Sequence, residues 1–331
     1  MHNWKSVASS HTLQVEQFAF HNGEKLGLTL HCRTLGTLNP AKDNAVLLLH
    51  GTTGSSLQFL QASMADSLFG VGQPLDCTKY FLILPDAIGH GDSSKPSTTQ
   101  GASFPQYSYT DIVNAQHKIV QDLFGLDSLR LILGTSMGGM NTWMWGYLFP
   151  TMARSLMPIA CLPHRLSGQN LLFRRLMLAI IEADSKFSGG DTSAPSQGVG
   201  LAWNLFQMLV SSPAKLQRDL TRAEAADQHI QDTIKKAAGE PPLDVLWEFR
   251  ASFDYDPAEH LQQIAAPLLT VNFADDQINA QGFSGLDSVI AKLPSGRAVL
   301  VDAGEKSQGH QTLSKAEVWQ SYVSELLAGS E

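Results

Sequence analysis

Charge is scarce in this chain: Asp, Glu, Lys and Arg make up 16% of its 331 residues, and no block of Lys and Arg occurs. With a formal net charge of −8, nucleic acid and anionic membrane surfaces are not expected partners. Long apolar runs are missing too. The longest, such as Ala45 to Leu49 and Leu176 to Ile181, are far too short to span a bilayer. Cysteine is limited to Cys32, Cys77 and Cys161, with no C-x-x-C. That pattern predicts free thiols in a reducing compartment and no disulfide framework. Met1 to Ser10 contains no apolar stretch, so no signal peptide is expected, and the expected location is cytoplasmic. Absent as well are G-x-G-x-x-G, a Walker loop and H-E-x-x-H, while His164, His229 and His260 are scattered. No nucleotide cofactor and no metal is therefore expected.

What is present is apolar: 43% hydrophobic residues, enough for a large core. Short apolar runs at Ala45–Leu49, Tyr80–Leu84, Leu129–Leu133 and Leu156–Ala160 read as buried parallel strands. Phe18–Phe20 and Leu26–His31 read as opening strands joined by an Asn22-Gly23 turn. Helical stretches at Leu57–Leu68, Tyr109–Leu123 and Met137–Leu148 alternate with them, which indicates βαβ units. The pattern then becomes mainly helical, broken by Ser188-Gly189-Gly190 and Pro241-Pro242. Strands return at Leu268–Phe273 and Ala298–Val301, before a closing helix at about Lys315–Leu327. The expected organisation is an α/β core in residues 1–162 and 263–331, interrupted by a helical lid in 163–262.

The sharpest motif is Gly134-Thr135-Ser136-Met137-Gly138-Gly139, a G-x-S-x-G between a strand and a helix. Such a turn strains the serine backbone and brings its neighbours so close that side chains clash, hence the glycines. Ser136 is the expected nucleophile. Its oxyanion needs two donors. The backbone N–H of Met137 is one, and the N–H of Thr52, in the loop His50-Gly51-Thr52-Thr53-Gly54-Ser55, is the other. His50 is read as a structural residue that orients this loop. Asp86 is read as a loop anchor beside the pocket.

In this arrangement an acid and then a histidine follow the nucleophile along the chain. Two acids, Asp275 and Asp276, end the first strand after the lid. Asp276 is preferred, because Asp276-Gln277-Ile278 matches the D-x-[IV/L] pattern of α/β-hydrolases. Asp275 is the alternative, and whichever acid is not used is expected to be solvated or to cap a helix. His310 is the only histidine beyond His260 and follows the last strand, so it is the expected base. Trp203, Phe206 and Met208 are candidates for lining the substrate pocket. Trp143 and Trp145 are read as core.

Together these segments resemble the homoserine O-acetyltransferase branch of the α/β-hydrolase superfamily. The resemblance lies in Ser136-Met137-Gly138-Gly139-Met140 with Trp145, in Thr53-Gly54-Ser55, and in Gly309-His310. In the lid it lies in Ala179 to Asp184, Gly189-Gly190 and Gly200-Leu201-Ala202. It implies an α/β-hydrolase fold, acyl-serine chemistry with acetyl-CoA as donor, and dimerisation through the lid. Members hold the acceptor carboxylate with a lid arginine a few residues after Gly-Leu. Here Gly200-Leu201-Ala202-Trp203-Asn204-Leu205-Phe206 has no arginine. A buried carboxylate there would be unpaired. Hydrolysis of an ester or related small acyl substrate is accordingly placed first. Acyl transfer from acyl-CoA to a hydroxyl is the alternative.

Overall fold

The computed structural model describes residues 3–188 and 196–329. One eight-stranded sheet carries the fold, in the order β1-β2-β4-β3-β5-β6-β7-β8. The strands are β1 Ser9–Ala19, β2 Lys25–Leu35, β3 Ala45–Leu49, β4 Phe81–Pro85, β5 Leu131–Thr135, β6 Leu156–Ile159, β7 Leu268–Phe273 and β8 Gly296–Val301. β1 and β2 are antiparallel, and β2 meets β4 antiparallel. From β4 to β8 every pairing is parallel.

The central strands read as unbroken apolar runs because both of their faces are covered. In β3, Ala45, Leu47 and Leu49 enter one core while Val46 and Leu48 enter the other. The first core lies beneath the helices Tyr109–Lys118 and Met137–Leu148. The second lies beneath Ala62–Leu68 and Gln320–Ala328.

Sequence pattern placed these elements but mis-set several ends. β1 and β2 each run 11 residues, far beyond the short strands expected. His11, Leu13 and Val15 are half-buried while Thr12, Gln14 and Glu16 are exposed, the period-two signature of a half-covered edge strand. The expected helix from Leu57 begins only at Ala62, after a string of turns. The closing helix begins at Gln320, after two short 3₁₀ turns.

Between β6 and β7 the chain leaves the sheet for helices Gly168–Glu182, Gln197–Val210, Pro213–Asp219, Ala223–Ala237 and Pro242–Arg250. Gly200 sits where Gln197–Val210 crosses Ala223–Ala237, and a Cβ there would lie 2.8 Å from Ile234 Cα. Asp184, just past the helix Gly168–Glu182, holds the start of Gln197–Val210 by accepting from Ser196 Oγ (2.9 Å) and Gly198 N–H (2.7 Å). Gly189-Gly190 lies outside the described residues.

The strand order decides where chemistry is possible. After β3 the chain turns outward to β4, and β5 lies on the other side of β3. A crevice opens above the carboxyl ends of strands at such a reversal. β3 and β5 are in register there, Leu49 opposite Gly134. The loop after Leu49 and the turn after Thr135 are therefore neighbours.

Trp319 is fully buried against the second face and donates from Nε1 to Leu313 O at 3.0 Å. Trp319→Ala should cost about 3–5 kcal/mol of stability. Urea unfolding measures it, and a loss below about 1 kcal/mol would contradict this packing.

Candidate active site

Ser136 has φ 54° and ψ −114°, a strained conformation for a residue with a Cβ. Its N–H donates to Ile159 O at 2.8 Å, and its carbonyl accepts from Met140 N–H at 2.9 Å. The glycines around it are set by backbone contact. A Cβ on Gly134 would collide with the Gly138 carbonyl, and one on Gly138 would collide with the Leu49 carbonyl. Gly134 thus permits the turn itself, while Gly138 lets the following helix seat on the end of β3. Met137 is the first residue of that helix, where a backbone N–H has no acceptor within the helix.

His310 reaches Ser136 from the loop after β8, with Nε2 2.8 Å from Ser136 Oγ. Its Nδ1 lies 2.7 Å from Asp276 Oδ2. Asp276 is fully buried, and its remaining capacity is taken by Ile278 N–H on Oδ1 (2.9 Å) and Asn279 Nδ2 on Oδ2 (2.9 Å). Asn279 also donates to Ala160 O at 3.0 Å. Carboxylate and imidazole are thus held in one orientation.

Asp275 is neither solvated nor a helix cap, contrary to the expectation for the second acid. Its Oδ2 accepts from Gly309 N–H at 2.8 Å, one residue before His310. Gly309 has φ 66° and packs so closely on Ser211 and Ser212 that a Cβ would lie 2.7 Å from Ser212 N. Asp275 therefore ties down the histidine's loop and does not contact the ring.

On the other side of Ser136 lies the loop after β3. An ideal Cβ on Gly51 would lie 3.5 Å from Ser136 Cβ, an ordinary contact. The sterically demanding glycine of this loop is Gly54, where a Cβ would collide with Gln58 Oε1 and lie 3.1 Å from Gly51 O and His50 Cβ. Gln58, unremarked in the sequence, ties this loop to β5. It accepts from Gly51 N–H (2.8 Å) and donates to Thr135 Oγ1 (2.9 Å). His50 accepts from Ala87 N–H at Nε2 (3.1 Å), so Nδ1 carries the proton and donates to Gly51 O (2.8 Å). Burial lowers the basicity of His50.

Asp86 anchors the neighbouring loop. It accepts from His31 Nδ1 (2.7 Å) and Asp92 N–H (2.9 Å). Burial works to raise its pKa, yet the hydrogen bonds from His31, Asp92 and Ser56 outweigh it and hold the carboxyl well below the usual range. His31, Asp86 and Asp92 bring their ligand atoms within 4.8 Å of one another. Arg33 supplies the positive charge there, 3.1 Å from Asp92 and 4.0 Å from Asp86.

A cavity of about 650 Å³ opens beside Ser136 and His310, bounded by Thr52, Gln58, Phe206 and Val210 among others. Phe206 lines it. Trp203 does not: it donates to Glu240 Oε2 (2.6 Å) and faces an adjoining cavity of about 350 Å³ that shares Thr53 and Gln207. Met208, also a pocket candidate, points outward and is 54% exposed, because it lies on the opposite side of the helix.

Behind Thr52 sits His90, with Nε2 2.8 Å from Thr52 O and Nδ1 3.0 Å from Ile88 O. Burial, helped by His50, pushes its pKa from 6.5 to about 3 against the pull of those carbonyls. Glu248, 3.7 Å from it, is pushed up by burial and by Glu240 and Asp244. Between pH 6.5 and about 3 the unfolded chain takes up a proton that folded His90 refuses, so the contribution of His90 to stability is lost as pH drops below 6.5, while Glu248, raised in the folded state, acts in the opposite sense. This residue should remove about 2 kcal/mol between pH 7 and pH 5. His90→Gln should flatten that part of the urea-unfolding profile, and an unchanged slope would refute the assignment.

The family model described as alpha/beta hydrolase fold matches residues 44–304. A probable acyltransferase of Methanothermobacter thermautotrophicus is 29% identical over 80% of this chain and 82% of its own length. The homoserine O-acetyltransferase of Carboxydothermus hydrogenoformans is 34% identical, over 54% of this chain and about half, 52%, of its own length. An acetylester hydrolase structure from Corynebacterium glutamicum superposes with TM-score 0.83 at 22% identity, covering 97% of this chain and 96% of that one. At that identity the match speaks to fold alone. Among the described residues no helix is long and apolar enough to cross a membrane.

Proposed function

The chain belongs to the alpha/beta hydrolase fold family, on its homoserine O-acyltransferase-like branch, and from that premise we propose that it is an acyltransferase working through an acyl-serine. The observation that carries the acyl-serine chemistry is the continuous hydrogen-bonded line from Ser136 through His310 to Asp276, opening onto a cavity of about 650 Å³.

Ser136 Oγ attacks the acyl carbonyl of the donor while His310 Nε2 takes its proton. The oxyanion is held by the N–H groups of Met137 and Thr52. Collapse breaks the bond to the leaving group, which receives the proton from His310. The acceptor hydroxyl then gives its proton to His310 and attacks the acyl-serine, and Ser136 is reprotonated as the ester leaves. Asp276 keeps the imidazole in the tautomer that accepts at Nε2, and it stabilises the imidazolium formed in each step. A thioester such as acyl-CoA suits the donor role.

The character of the sequence relatives moves transfer ahead of hydrolysis, reversing the order suggested by the residues alone. Hydrolysis remains the second reading for one reason. The helix Gln197–Val210 presents Phe206 and Val210 to the cavity and contains no arginine, so an acceptor carboxylate has no cation on that wall.

Incubation with acetyl-CoA or a p-nitrophenyl ester, with and without alcohol acceptors, separates the two. An acetyl adduct on Ser136 that is discharged only when an alcohol is added supports transfer. Equal turnover in water alone supports hydrolysis. Ser136→Ala should leave only background turnover. Asp276→Asn should cost on the order of 10⁴-fold in kcat, whereas Asp275→Asn, which keeps an acceptor oxygen for Gly309, should cost less than about tenfold. Comparable losses for the two aspartate variants would overturn the assignment of the acid.

A further inference from the structure

The lining of the Ser136 cavity is unusual in its charge. Apart from the His310 imidazole, its polar part outside Lys315 is amide and hydroxyl, including Gln61, Gln207, Gln308 and Gln311. Among the described residues that line it there is no aspartate, glutamate or arginine, and the single permanent charge is Lys315. The amides are partly committed to one another: Gln311 Nε2 donates to Gln207 Oε1 at 3.0 Å. They shape the walls and leave the electrostatics to the lysine.

Lys315 is half-buried and stands five residues after His310. Its backbone is fixed on both sides, the N–H donating to Thr312 O (2.9 Å) and the carbonyl accepting from Val318 N–H (2.9 Å). The stem is therefore anchored to the turn that carries the histidine. The nearest acid in sequence, Glu317, is taken by Lys306 at 2.8 Å. No carboxylate among the described residues pairs with Lys315, although Lys118 and Lys215 both find one. A cation without a counter-charge in a concave polar site, whose walls carry no anion, attracts an anionic ligand group.

We propose that Lys315 is the anion anchor of this cavity, binding phosphate or carboxylate oxygens carried by the acyl donor or the acceptor. The role as substrate anchor rests on the acyl-transfer reading; the anion site itself does not. It supplies from the sheet side the positive charge that the helix Gln197–Val210 lacks, and so sets which substrates are retained beside Ser136.

Calorimetric titration of the intact protein tests this without requiring turnover. Coenzyme A serves as the phosphate-bearing probe, succinate as the carboxylate probe and pantetheine as the uncharged control. The expected result is that at least one anion binds, more weakly as KCl is raised. Lys315→Gln should lower that affinity about tenfold, Lys315→Arg should restore it, and pantetheine affinity should change less than twofold. Which anion responds identifies the source of the charge. If neither anion binds, or if Lys315→Gln binds it as tightly as the parent protein, the proposal fails. If the anion effect is found while Ser136 is never acylated by any donor, the anchor stands and the acyl-transfer reading falls.

Discussion

The whole site depends on a strained backbone at Ser136 being held in place by its neighbours. A φ of 54° costs a non-glycine residue on the order of 1–3 kcal/mol. The surroundings leave no alternative. Ile159 O receives the Ser136 N–H, Gly134 clears the Gly138 carbonyl, and Gly138 lets the helix start lie directly on the end of β3. The same contacts that impose the strain also bring the turn after β5 against the loop after β3. One constraint thus brings Ser136 to the cavity wall and sets the turn after β5 beside the loop after β3.

Around that turn the protein buries many polar groups, and the carboxylates nearest the site have much of their burial cost offset by partners. Asp86 is saturated by His31, Ser56 and Asp92, and Asp276 by His310, Ile278 and Asn279. Gln58 bridges Gly51 and Thr135. These are side chains that fix loops, and loops lacking regular structure have no other means of holding sub-ångström geometry. The contrast between the two adjacent aspartates illustrates the point. Asp276 orients the imidazole, while Asp275 orients the backbone that carries it.

The helical insertion completes the cavity but changes its character. It contributes Phe206, Gln207 and Val210 to the wall, while Trp203 and Phe249 form an aromatic layer behind them. An apolar wall, and a lining whose one permanent charge among the described residues is Lys315, give the site a polarity. That is a reason to look for specificity in the turn after His310 as well as in the insertion.

Much of this was legible without coordinates, and the reason is periodicity. The buried runs Ala45–Leu49 and Leu268–Phe273, and the strand–turn–helix context of Gly134 to Gly139, are local signals carried by consecutive residues. Chain order then singled out His310 and narrowed the acid to two neighbours. What the sequence by itself determined was the sheet, the turn and the cast of reactive side chains. Only the tertiary structure decided between Asp275 and Asp276 as the imidazole's partner, gave Gln58 and Asn279 their tasks, put Trp203 behind Phe206, and made Lys315 the one permanent charge among the described residues that line the cavity. Those outcomes depend on which distant segments meet. A contact between residues 34 or 174 positions apart leaves no trace in the spacing of either one.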